Sequence, residues 1–204
     1  MTEESKKRLE EQIRFIMEID KEKNIFRQTS LTGRTRKEND AEHAWHMAIM
    51  AYLLKEYANE PFDLAHTMMM CLIHDIVEID AGDTYAYDEE NKKSQKEREE
   101  KAAERIFGLL PEDQGKEIYV LFEEFEANET PEAHFAHAMD NFQPLLLNDS
   151  NDGADWEEHK VSRQQVDGRQ MGTSIGSAFL YEKTKEILDK HEAAGHFRKV
   201  EEDK

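Results

Sequence analysis

Residues 64–79, LAHTMMMCLIHDIVEI, are apolar around most of a helical circumference, and a helix with no polar face has to lie among other helices. The helical period recurs along almost the whole chain, with no series of alternating β-branched strands. The expected fold is therefore all-α, a bundle built around this segment. At 204 residues the chain is long enough for one sizeable core and short for two. The expectation is a single domain over residues 1–195 with a frayed tail at 196–204.

The pattern predicts a first helix at about 5–23, with Leu9, Ile13, Ile16 and the Phe15/Ile19 pair as its packing stripe. A second helix spans about 41–58, capped by Asp40, with Trp45, Ile49, Tyr52 and Leu53 repeating at helical spacing. Between them, NIFRQTSLTGRTRKEN reads as a long ordered loop, and loops of that length are often functional. Asp63 caps the apolar helix and Gly82 ends it. Further helices are expected at about 89–110, from Pro111 to about 127, and from Pro131 onward, where Pro144 should kink or interrupt the run. A loop, NDSNDGAD, and one or two more helices complete the chain to about 193. The 89–104 stretch has the composition of a solvated face laced with i,i+4 pairs.

With 27 basic against 46 acidic residues the formal charge is -19, which repels phosphate backbones and anionic membranes at long range. A nucleic-acid polymer is excluded as the expected partner. A small anion is not, because a metal ion or a few arginines can reverse the potential inside one pocket. Cys71 is the single cysteine, so no intramolecular disulfide can form, and in MMMCLI its thiol reads as packed and inert. The N-terminus lacks the apolar region of a signal peptide and no window reaches the ~18 apolar residues of a span. A cytoplasmic location, with no membrane partner, is expected.

The apolar segment ends in CLIHDIVEIDAGD, which sets His74, Asp75, Glu78, Asp80 and Asp83 within ten residues. An ionised carboxylate beside an imidazole in such surroundings is costly unless compensated, and a bound cation is the strongest compensation available. His43 lies in the first turn of the second helix, and Asp140 sits in the apolar context AMDNF. Two histidines and two aspartates from three helices can converge on one divalent ion. Nitrogen and carboxylate ligands suit Mn, Co, Fe, Ni or Zn better than Mg or Ca. Glu78, three and four residues beyond Asp75 and His74, shares their helical face and can orient a water or move a proton.

The order His43, His74-Asp75, Asp140 resembles the metal-binding signature of the HD-domain phosphohydrolases. ENDAEHAWHMAIMA and HDIVEIDAGD resemble, more narrowly, the subgroup that contains bacterial 5'-deoxynucleotidases and the human HD-domain-containing protein 2. The resemblance covers about 26–147. It implies that His43, His74, Asp75 and Asp140 hold one divalent transition metal, and that Glu78 and Asp83 are the catalytic acids, with their division of labour open. It implies a helical-bundle 5'-nucleotidase acting on a small nucleotide, and a homodimer, for which the apolar residues of IGSAFLYEKTKEIL offer a surface. Arg27 matches the arginine the nucleotidases use, while this chain has Gln28 where the bacterial enzymes carry tryptophan and one residue more before the histidine.

A guanidinium in the loop before His43 can clamp a phosphate, which makes Arg27, Arg34 and Arg36 substrate-binding candidates, with His46 a further candidate at the pocket wall. His134 and His137 stand at i+3 spacing with Asp140 and would be needed for the second reading, a di-iron oxygenase of the same fold. A third reading is a non-catalytic helical module stabilised by metal.

Overall fold

The computed structural model describes residues 2–199 and is a helical bundle. Its helices are α1 (Glu3–Ile19), α2 (Asp40–Leu54), α3 (Leu64–Ile73), α4 (Glu78–Ala81), α5 (Glu89–Phe107), α6 (Glu112–Ala127), α7 (Pro131–Ser150), α8 (Ala154–Glu158), α9 (Arg163–Gln170), α10 (Thr173–Gly176) and α11 (Ala178–Ala194). The expected loop before α2 holds a small antiparallel ribbon of β1 (Phe26–Ser30) and β2 (Lys37–Asn39), which pairs Phe26 with Asn39 and Ser30 with Lys37. No helix among the described residues is long and apolar enough to cross a membrane.

The apolar segment is central, as its composition requires. α3 packs against α2, α6 and α7, and Met70, Cys71 and Ile73 are buried among them. It is not one continuous helix, however. α3 stops at Ile73, and the chain tightens through Ile76 N–H to Ile73 O and Glu78 N–H to Asp75 O bonds before α4 begins. In a turn of three residues, side chains at i and i+3 eclipse one another, so Asp75 and Glu78 come to one side.

Two helices turn a different face inward from the one their large apolar residues suggest. On α2 the buried face is His43, Ala44, Met47, Ala48, Met50 and Ala51, whereas Trp45, Ile49, Tyr52 and Leu53 are exposed. Small residues let α2 and α3 approach closely and leave room for an imidazole between them. On α1, Leu9, Ile13 and Ile16 are exposed, and only Phe15 and Ile19 reach the core. Asp40 is not the cap of α2: Asn39 caps it, in a capping box with Glu42, and Asp40 is fully buried as the first helical residue.

α7 continues unbroken through Pro144. The ring removes the donor that would otherwise meet the Asp140 carbonyl. The chain after α11 is docked rather than frayed as far as it is described: Arg198 N–H donates to Val161 O and Phe197 packs on Trp156. The last residues of the expected tail, 200–204, lie outside the described residues.

α7 and α10 meet closely at Gly176, where an added Cβ would overlap the His134 carbonyl. Gly176→Ala should therefore cost about 1–3 kcal/mol of stability, read as a lower urea midpoint with an unchanged slope. An unchanged midpoint would mean that α10 can move away from α7 freely.

Candidate metal centre

A cavity of about 260 Å³ has walls that include Arg27 on β1, His74 and Asp75 in the turn after α3, Glu78 on α4, Asp83 beyond Gly82, and Asp140 on α7. His43, Asp75 and His74 each offer a ligand atom within 4.8 Å of the others, and all three are buried. Asp140 joins them with Oδ1 3.1 Å from His43 Nε2.

Each histidine is oriented through its outer nitrogen. His74 Nδ1 lies 3.0 Å from Cys71 O, a carbonyl that can only accept, so this nitrogen carries the proton. The other nitrogen, Nε2, is 3.1 Å from Asp75 Oδ2, yet it is buried and makes no hydrogen bond. For His43 the anchor is Gln143. The Gln143 amide nitrogen donates to Glu38 at 2.7 Å and to His46 Nδ1 at 3.1 Å, which turns its oxygen to His43 Nδ1 at 2.8 Å. Both histidines thus direct Nε2 at carboxylates, the arrangement that outer hydrogen bonds impose on metal-ligating imidazoles. An orphaned, buried Nε2 against two carboxylates fits a divalent ion of the late transition series.

The electrostatics follow from burial. Burial, aided by Arg27, holds His43 down to about 4, so its ring is neutral. Burial also works against a charged His74, but the Asp75 carboxylate outweighs it and carries the ring up to about 9. The same field that holds a proton there favours a cation. Asp140 stays well below the usual carboxylate range, because Arg169 and the two histidines overcome its burial.

Beside this set, Asp40, Glu78 and Asp83 form a second acidic group with ligand atoms within 4.8 Å of one another. Burial and the charge of Asp75 push Asp40 up to about 8 and Glu78 well above its ordinary value. Burial raises Asp83 as well, against the pull of Arg27. Neighbouring buried acids cannot all ionise, so protons reside among these three at neutral pH.

The arginine candidates separate. Arg27, on β1, is at the centre: its guanidinium donates to Asp75 at 2.6 Å and to Asp40 at 3.3 Å. Arg34 is turned away to Glu158 at 2.5 Å, and Arg36 makes a two-pronged pair with Glu42 on the exposed side of α2. Neither lines the cavity: both lie in the connection between β1 and β2 and are held by acids outside it, whereas Arg27 stands on β1 beside Asp75. His46 is not a wall residue either, its Nδ1 being taken by Gln143. His134 and His137 each use Nε2 on a carbonyl at the end of α6, Asn128 O at 3.1 Å and Phe125 O at 2.8 Å, and His137 stacks on Phe125. Those bonds hold the Nε2 atoms on backbone carbonyls, away from His43, His74, Asp75 and Asp140.

Three participants do not stand out in the sequence: Asp40 reads as a cap, Gln143 is an ordinary amide in a helical run, and Arg169 comes from α9, where it donates to Asp140 Oδ2 at 2.9 Å. For Gln143 a signal existed, since it stands on the same α7 face as Asp140 at i+3. Arg169 had none.

A family model described as HD domain matches residues 19–178. The human 5'-deoxynucleotidase HDDC2 is 33% identical over 132 residues, covering 64% of this chain and 61% of the human protein. The 5'-deoxynucleotidase hdd1 of Schizosaccharomyces pombe is 28% identical over 118 residues, covering 55% and 58%. The chain therefore spans less than two thirds of the curated relatives it matches. A crystal structure from Magnetospirillum magnetotacticum, described as a predicted metal-dependent phosphohydrolase, is 47% identical and superimposes with a TM-score of 0.92, covering 98% of this chain and 100% of that one.

If Gln143 orients His43, Gln143→Leu should weaken divalent-ion binding by about 10–100-fold while the helical circular dichroism is retained. Titration with Mn or Co against a competing chelator measures this, and unchanged affinity would show that the amide does not set the imidazole.

Proposed function

The chain belongs to the HD-domain family, and on that footing we propose that it is a metal-dependent phosphomonoesterase releasing phosphate from nucleoside 5'-monophosphates, deoxynucleotides first. The observation that carries this reading is the convergence of two imidazoles, both aimed through Nε2, on Asp75 and Asp140, with proton-holding acids alongside. The relatives with 5'-deoxynucleotidase names and the crystal structure described as a phosphohydrolase support it.

In this reading His43, His74, Asp75 and Asp140 hold one divalent transition metal, Mn, Co, Zn, Fe or Ni. Such an ion supplies polarisation of a phosphoryl oxygen and a lowered pKa for water. The residues of the chain do the rest. Arg27 lies beside the ligands with its second Nη 3.9 Å from Asp140, where a guanidinium can donate to a phosphoryl oxygen and neutralise charge as the P–O5' bond breaks. Glu78 and Asp83 between them take the proton of the attacking water and return one to the leaving O5'. Tyr85, Tyr87 and Trp156 line the same cavity and give the sugar and base aromatic surface. The chain's charge of -19 repels a nucleic-acid polymer, which leaves a small nucleotide as the substrate of this reading.

The domain is read as 1–195 with its metal-binding part at 26–147, and the location as cytoplasmic, supported by a single, buried Cys71. A homodimer completes the reading, but not through most of the surface expected from residues 175–188. Leu180, Ile187 and Leu188 are buried in the chain's own core, leaving Ile175 and Phe179 exposed. The larger uncovered apolar stripe is Trp45, Ile49, Tyr52 and Leu53 on α2, and a second copy is the proposed cover. Light scattering should give twice the chain mass, and Trp45→Glu with Leu53→Glu should return the monomer. A monomeric parent protein would contradict the dimer.

The activity is tested with chelator-stripped protein and a panel of ribo- and deoxyribonucleoside 5'-monophosphates, restoring Mn, Co or Zn singly. Phosphate release that needs the metal and is abolished by Asp75→Ala is the expected result. No release with any ion would overturn the proposal.

A further inference from the structure

Asp83 is the one candidate catalytic acid that does not stand on a helix. It follows Gly82, whose φ of 75° and ψ of 146° suit only glycine, and precedes a connection to α5 at Asp88. An acid carried by such a turn needs something to fix it, and the fixing group lies outside the cavity. Arg98, on the third turn of α5, donates from Nη1 to the Ala81 carbonyl and from Nη2 to Thr84 Oγ1 at 2.8 Å. A longer contact from Nη2 reaches Asn91 O at 3.4 Å, on α5 itself. One planar guanidinium therefore holds the backbone just before Gly82 and the side chain just after Asp83.

We propose that Arg98 is a positioning residue for the phosphohydrolase reaction, acting through the Gly82–Asp83 turn that it clamps on both sides. The chemistry of the clamp is specific to arginine. The Ala81 carbonyl is at the end of α4, where carbonyls lack partners along the helix and a cation is favoured. The rigid fork of the guanidinium spans two acceptors at a fixed separation, which a lysine ammonium on a flexible stem does not. Arg98 does not line the cavity and touches none of His43, His74, Asp75 or Asp140. Its effect on turnover must then pass through the turn, and metal binding should be indifferent to it.

This inference rests on the reading of Asp83 as a catalytic acid, and a double-mutant cycle separates the two. With metal saturating, kcat and KM are measured on the best nucleoside 5'-monophosphate for the parent, Arg98→Ala, Asp83→Asn and the double variant, with the Mn dissociation constant for each. Arg98→Ala is expected to lower kcat on the order of 10²-fold, the size that a misplaced catalytic group costs. Mn affinity should be unchanged, and there should be no further loss when Asp83→Asn is already present. Arg98→Lys should recover only part of the rate. If Asp83→Asn leaves kcat intact, the reading of Asp83 fails and this inference with it. If Asp83→Asn is damaging but Arg98→Ala is harmless, or multiplies the loss independently, the Asp83 reading stands and the role of Arg98 is refuted. Should Arg98→Ala fail to fold, Thr84→Val removes one of the two anchors of the clamp, and its loss must likewise vanish in the Asp83→Asn background.

Discussion

The structure depends on gathering two aspartates and two imidazoles in the interior of a helical bundle, a combination of charge that burial alone opposes. Asp75 and Asp140 remain ionised against that burial because His74, His43, Arg27 and Arg169 surround them. Arg27 and Arg169 approach from opposite ends of the chain, one from β1 and one from α9, and meet Asp75 and Asp140 respectively. A divalent ion held there would complete that balance with the strongest local charge available. The helical layout can be read as the means of delivering these groups: α2 brings His43, the break after α3 brings His74 and Asp75, and α7 brings Asp140.

A further layer decides which atoms face inward. Glu38, Gln143 and His43 form a chain of hydrogen bonds in which each amide or ring has one orientation that satisfies its neighbour. The Cys71 carbonyl does the same for His74. Asp155 anchors the ribbon that carries Arg27, accepting from the backbone and the hydroxyl of Ser30 at 2.7 and 2.8 Å. The cost of burying these polar groups is met by their fixed pairing, which also gives the site its rigidity.

Much of this was legible in the sequence, for identifiable reasons. An all-round apolar helix ending in His-Asp is physically odd, and the oddity pointed to the centre. His43, His74, Asp75 and Asp140 named from the sequence do lie together. What could not be read was the phase of the helices and the long-range partners. Periodicity shows that Trp45, Ile49 and Tyr52 share a face of α2, but not that the alanine and methionine face is the one that packs. Asp40 and Asn39 are equally good caps by type, and only the bond with Glu42 decides between them. Arg34 and Arg36 resemble Arg27 in type, and only their tertiary partners, Glu158 and Glu42 against Asp75 and Asp40, separate them. Arg169 and Phe197 reach their partners only through the tertiary fold.

The central claim is that this buried set binds one cation through the Nε2 atoms of His43 and His74 with Asp75 and Asp140. The most direct test is a crystal grown with Mn or Co and measured at that metal's absorption edge. The account predicts an anomalous peak within bonding distance of both Nε2 atoms and one oxygen of each aspartate, with Cys71 O and Gln143 still on the two Nδ1 atoms. A peak bonded only by Asp40, Glu78 and Asp83, or by an Nδ1 after the rings have turned, would contradict it.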